Sequence, residues 1–133
     1  MAYRVFVSHA WADLWVAKQI ERRIKELGGD TFIDVYDVVI GDVIEAQVFE
    51  ALPSCKEIIV LFTPWSVERN WLWTELGAAR ALGLSITAVL YRTTLDEIDQ
   101  RHGGTTFLRS RNVVDINTFD DYLDQLRHRI AGG

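Results

Sequence analysis

This chain of 133 residues has one cysteine, which excludes an intrachain disulfide. Cys55 stands among Ala51, Leu52 and Ile58, the setting of a buried thiol. A lone Lys56 beside it gives little of the electropositive surround that a nucleophilic thiolate needs. No apolar run reaches the ~20 residues that span a bilayer. No basic stretch followed by an apolar one opens the chain as a signal peptide would, so the expected location is the cytoplasm. Basic excess is lacking too: 14 Lys and Arg face 19 Asp and Glu, a net charge of −5. Nothing in that balance favours nucleic-acid binding through phosphate neutralisation, and no nucleic-acid partner is expected. Repeats, low-complexity stretches and interdomain linkers are absent. We therefore expect one domain over residues 1–133, long enough for a core of its own. Its closing Ala131-Gly132-Gly133 would equally suit the start of a linker in a longer protein.

Several motifs are missing as well. No G-x-G-x-x-G and no G-x-x-x-x-G-K-[ST] occurs, and Gly28-Gly29 and Gly103-Gly104 are pairs without either motif. His9, His102 and His128 are far apart and have no partner one helical turn away, so no metal site is expected. His128, between Arg127 and Arg129, reads as part of a solvated face.

What is present is an alternation of short β-rich runs and amphipathic segments. The strands are expected at Tyr3–Val7, Thr31–Asp34, Ile58–Phe62, Ser85–Tyr91 and Asn112–Ile116. Leu14, Ala17, Ile20, Ile24 and Leu27 recur at helical spacing, with Asp13 as a cap and Gly28-Gly29 as a stop. Asp42-Val43-Ile44-Glu45 resembles a capping box opening a second helix, with Ile44, Val48, Ala51 and Leu52 on one face. A third helix runs from Asn70 to Leu82 and ends at Gly83. Thr93 to His102 has room for a short helical turn. The last helix, capped by Asn117 or Thr118, turns Phe119, Tyr122, Leu123, Leu126 and Ile130 inward. Strands separated by helices imply parallel pairing with right-handed crossovers. The predicted fold is α/β and flavodoxin-like: three layers around a five-stranded parallel sheet in the order 2-1-3-4-5. The third strand is apolar throughout, so both its faces should be covered.

In such sheets ligands bind outside the C-terminal strand ends, near the switch point between strands one and three. Ser8, His9, Trp11, Thr63, Trp65 and the Val35–Gly41 connection fall on that edge. The chemistry of two relatives of this architecture is excluded by what stands there. A response-regulator receiver needs paired acids after strand one, a phosphorylatable Asp after strand three and a Lys after strand five. These places hold Ser8-His9, Thr63 and Asp115-Ile116-Asn117. The segment Ser8-His9-Ala10-Trp11-Ala12-Asp13 lacks the glycines with which a flavodoxin cradles phosphate. Ser8 and His9 do not form a catalytic pair, because adjacent strand residues point to opposite sides. Ser8 reads as satisfying loop backbone groups and His9 as a pocket wall.

The helix after strand three carries Trp71-Leu72-Trp73-Thr74-Glu75. Residues four apart share a helical face, so Trp71 and Glu75 stand together. An acid beside aromatic surface at this edge can hold hydroxyls and stabilise a developing cation, which is the chemistry of glycosidic-bond cleavage. Grouped tryptophans are also ordinary core or interface residues. Trp15 reads as helix packing, and Glu75 has a plain alternative as a surface acid.

Taken in order, Val5-Phe6-Val7-Ser8-His9, Thr31-Phe32-Ile33-Asp34, the loop through Asp37 to Gly41-Asp42, Cys55 to Pro64 and Trp71-Leu72-Trp73-Thr74-Glu75-Leu76 carry a family pattern. Over nearly its whole length the chain resembles a TIR (Toll/interleukin-1 receptor) domain of the stand-alone bacterial, NAD-cleaving kind. The resemblance implies that Glu75 is the catalytic glutamate of a Trp-x-x-x-Glu motif. It also implies that NAD+ is substrate rather than cofactor, cut at the nicotinamide–ribose bond by an NAD+ glycohydrolase or an ADP-ribose cyclase. Substrate contacts are then expected from Ser8, His9, Trp11, Tyr36, Asp37 and Trp71, in the setting of bacterial antiphage defence. The apolar run Val38, Val39 and Ile40 departs from many relatives, and so does Ala10-Trp11, where basic or hydroxylated residues are common. The run suits an interface or, equally, the domain's own core, and the resemblance implies head-to-tail self-association with other TIR domains that can extend into filaments. The competing expectation is a non-enzymatic TIR–TIR interaction module, or a host-directed effector.

Overall fold

A computed structural model describes residues 3–33, 50–103, 105–106 and 108–132. Five parallel strands form one sheet in the order β2-β1-β3-β4-β5. These are β1 (Arg4–Ser8), β2 (Asp30–Ile33), β3 (Glu57–Phe62), β4 (Ser85–Leu90) and β5 (Asn112–Asp115). The order is the predicted one. Among the described residues four α-helices accompany them: Leu14–Glu26, Asn70–Ala81, Leu95–Arg101 and Phe119–Gly132. The expected helix beginning at Asp42 lies outside the described residues, apart from its last positions before a short 3-10 turn at Leu52–Ser54.

The central strand shows why the sheet forms. All six residues of β3 are buried, and successive side chains of a strand point to opposite faces. Ile58, Val60 and Phe62 join Phe6 of β1 and Ile86 and Ala88 of β4 in one core. Leu72, Leu76 and Ala79 of the Asn70–Ala81 helix close that side. Ile59 and Leu61 join Val5, Val7 and Val89 on the other face. There they meet Ala17, Ile20 and Ile24 of the first helix and Tyr122, Leu123 and Leu126 of the last. Each large apolar side chain fully buried in this way contributes about 1.5–3 kcal/mol. A cut such as Ile59→Ala would cost about 2–5 kcal/mol.

Two helices end as their glycines predict. Gly28 and Gly83 take φ of +91° and +76°, a region that costs a residue with a Cβ. Gly83 N–H donates to Arg80 O and Leu84 N–H to Ala79 O, the paired bonds of a Schellman stop.

Three local expectations are corrected. Asp13 precedes the first helix, but its carboxylate makes no capping bond; it is drawn instead to Thr63. The residue that closes the turn before the last helix is Asp115, which accepts from Asn117 N–H, because Asp115 already sits in extended backbone at the strand end. Trp15 does not pack into the core. It is 73% exposed, since the inward stripe of its helix runs through Ala17, Ile20 and Ile24.

Candidate active site at the C-terminal edge of the sheet

The alternation that builds the core also aims the polar residues at its edge. Phe6 faces the Asn70–Ala81 helix, so Ser8, two residues on, faces it too. On that helix Leu72, Leu76 and Ala79 point inward. Glu75 lies three and four residues from two of them and shares their side. The two elements therefore deliver Ser8 and Glu75 to one point. Ser8 Oγ donates to Glu75 Oε1 at 2.6 Å, with both residues fully buried. That length is typical of a hydroxyl on a charged carboxylate. The sequence reading gave Ser8 to loop backbone groups; its recorded bond runs to Glu75 instead.

Trp71, one turn before Glu75, is half-buried and packs against the same core. Trp73 is held by its indole N–H on Val67 O at 2.9 Å, and stacks on His102 with ring centroids 4.0 Å apart. His9 is buried at 6% exposure. Burial pushes its imidazole below the ordinary range, against a smaller opposing effect from the Val7 backbone. A neutral ring is therefore favoured there at physiological pH. Trp11 is 49% exposed, free to present an aromatic face at the rim. Tyr36, Asp37, Val38, Val39 and Ile40 lie outside the described residues.

A second buried polar group was missed in the sequence as a site feature. Asp13, at 4% exposure, accepts from Thr63 Oγ1 at 2.6 Å. Thr63 Oγ1 in turn accepts from Ser66 N–H, while Ser66 Oγ accepts from Thr63 N–H. This ties the turn after β1 to the loop after β3 across the switch point. Burial raises the Asp13 carboxyl above its usual range and the Thr63 bond offsets part of that. The signal was present as Thr63-Pro64-Trp65-Ser66, a hydroxyl at each end of a tight turn. Its product is a rigid loop holding Trp65, 51% exposed, beside Arg69 and Arg101 in an open cleft. Arg101 braces the loop by donating to Pro64 O at 2.8 Å.

Among the described residues no group of three or more His, Cys, Asp or Glu could hold a metal ion. No helix among them is long and apolar enough to cross a membrane. Cys55 is buried, and burial lifts its thiol to about 11, which makes it a packing residue.

Comparison with known proteins agrees with this architecture. The chain is 24% identical over 131 residues to the 2' cyclic ADP-D-ribose synthase BtTIR of Bacteroides thetaiotaomicron, covering 95% of this chain and 45% of that protein. It thus spans about half the length of that curated relative. The TIR domain of the Toll-related receptor TRR-2 from Hydra magnipapillata superposes with a TM-score of 0.72 at 21% identity, covering 98% of this chain and 99% of that one. The Clostridium botulinum CMP N-glycosidase BcmB superposes at 0.58 with 19% identity, over 92% and 97% of the two chains. At these identities the two structures speak for the fold alone. The family model for the TIR domain matches residues 5–129, from within β1 to the end of the last helix, and the chain belongs to the TIR domain family.

Proposed function

We propose that this domain cleaves the N-glycosidic bond between nicotinamide and ribose in NAD+, with Glu75 as the acid that stabilises the reacting sugar. The observation that carries the reading is the Ser8–Glu75 pair, a buried carboxylate one turn from Trp71 at the sheet edge where this architecture binds ligands. The similarity to a protein named a 2' cyclic ADP-D-ribose synthase supports the reading.

The chemistry suits the residues. When the bond breaks, its electron pair goes to the pyridinium nitrogen, and nicotinamide leaves neutral without a general acid. Positive charge is left on ribose C1′, an oxocarbenium-like centre as in glycoside hydrolysis. Glu75 stabilises that charge and accepts from the ribose hydroxyls. Water adding at C1′ and losing a proton gives ADP-ribose. A hydroxyl or the adenine ring of the same molecule adding there gives a cyclic product and releases the same proton. Trp71 and Trp11 supply flat aromatic surface for the rings at either end of the substrate. Buried in the resting structure, the Glu75 carboxylate meets substrate only when the groups over it move aside.

The test is chromatographic. Purified protein incubated with NAD+ should release nicotinamide together with ADP-ribose or a cyclic isomer. Glu75→Gln, which keeps size and loses charge, should abolish release while shifting the melting temperature by only a few degrees. Undiminished release from that variant would sink the assignment.

A second reading, a module that docks on further copies of this domain, draws on the surface of the first helix. Trp15 shares an open groove of about 590 Å³ with Val16, Tyr91, Ile116 and Phe119. Specific activity that rises with protein concentration, alongside a growing mass in light scattering, is expected if assembly and catalysis are linked. A monomer of constant specific activity would overturn it.

A further inference from the structure

We infer that Ser8 is a positioning residue, whose hydroxyl sets the Glu75 carboxylate in its working orientation rather than touching substrate. The inference rests on the proposed NAD+ cleavage. Three observations carry it. Ser8, like Glu75, has no exposed surface, but its short side chain has none of the reach of a glutamate. Its backbone belongs to the interior of the sheet, in register with Val60 of β3. And its Oγ is spent on Glu75 Oε1 at 2.6 Å.

A glutamate has three side-chain torsions, and orientation is where much of an enzyme's advantage is lost when a group drifts. The Asn70–Ala81 helix fixes the Glu75 backbone through Leu72, Leu76 and Ala79, but it cannot fix the far end of the chain. A hydrogen bond from a strand at the centre of the sheet can. It also favours the ionised carboxylate over the neutral acid, the form that stabilises an oxocarbenium. An ionised carboxylate has about four lone-pair sites, and Ser8 takes one of them. Ser8 is thus the fixed post and Glu75 the group that reaches.

A substrate contact and a positioning role differ in what they change. Loss of a contact made equally in the bound and reacting states raises KM; loss of alignment in the reacting state lowers kcat. The experiment measures kcat, KM for NAD+ and melting temperature on the parent, Ser8→Ala, Ser8→Thr, Glu75→Gln and Ser8→Ala with Glu75→Gln. Ser8→Ala should lower kcat by about 10- to 100-fold, with KM within about threefold and the protein still folded. Ser8→Thr, which restores a hydroxyl, should recover most of the loss. The double variant should be no slower than Glu75→Gln alone, because Ser8 acts through that group. An active parent whose Ser8→Ala variant keeps kcat, or loses only KM, overturns the positioning role and leaves NAD+ cleavage standing. A parent without turnover overturns the reading beneath it. Should the added methyl of Thr unfold the domain, Ser8→Ala, which only removes an atom, decides alone.

Discussion

Among the described residues two glutamates are fully buried, Glu57 and Glu75, and they sit at opposite ends of the sheet. Glu57 begins β3. Its odd position turns it toward the last helix, as with Ile59 and Leu61. There Arg129 grips it with two bonds, Nε to Oε2 at 2.8 Å and an amino nitrogen to Oε1 at 2.9 Å. The hydroxyls of Tyr122 and Tyr3 donate to the same carboxylate. Glu57 is thus neutralised in place by a cation and two tyrosines drawn from both ends of the chain. Glu75 lies beneath the ligand edge and receives a serine hydroxyl. The first arrangement resembles a structural tie. The second sets a carboxylate against a serine hydroxyl at the edge where this architecture binds ligands. Two identical side chains with equal burial thus stand at different ends of the sheet, one gripped by an arginine and one met by a serine hydroxyl.

The comparison breaks most visibly at Arg129. Arg129→Ala leaves Glu57 buried beside two hydroxyls and no cation. It should cost about 3–5 kcal/mol of stability, read as a drop in denaturation midpoint with an unchanged slope. The protein that remains folded should keep its turnover. A stability loss confined to a few tenths would show that the tie contributes little.

The smaller effect is in the pH profile, where the two ends of the sheet fail in opposite directions. Burial, then its bond to Glu57, pushes the Tyr3 hydroxyl up to about 12. Tyr122 is raised as well, chiefly by burial. The unfolded chain loses these protons first, near 10, so stability present below that pH is lost as pH rises toward 12. At the other end burial lowers His9. The unfolded chain there gains a proton the folded one resists, so stability falls as pH drops below about 6.5. Asp13 carries the opposite sign. Raised by burial, it takes its proton before the unfolded chain does, and offsets part of the loss at lower pH. Denaturation curves from pH 5 to 11 should show both shoulders, and Tyr3→Phe should flatten only the alkaline one. An alkaline shoulder unchanged in that variant would remove Tyr3 from the account.

Much of this was legible in the sequence because it is periodic or local. The apolar run of β3 announced a strand covered on both faces, and the four-residue step from Trp71 to Glu75 placed both on one helix. The Glu57 tie was not legible. Its partners are 54, 65 and 72 residues away, and nothing near Glu57 marks it as different from an exposed strand-end acid. Asp13 misled for a related reason: a residue suited to cap a helix was also within reach of Thr63, and only the folded chain shows which bond it makes. Ser8 fell between. Strand parity gave its direction, but the helix it would face had to be set down before its hydroxyl had a partner.

The burial of Glu75 has a consequence for how such a domain is controlled. A carboxylate without exposed surface makes the resting molecule a latent enzyme under the proposed reading. Turnover is drawn only from the fraction of molecules that have opened. The apparent dissociation constant is the intrinsic one divided by that fraction, so an open state held by about one molecule in a hundred weakens binding about 100-fold. An activator then has no need to touch the chemistry. Whatever binds the open arrangement better than the closed one raises the rate by shifting a population, and the catalytic groups can stay the same from the silent state to the active one.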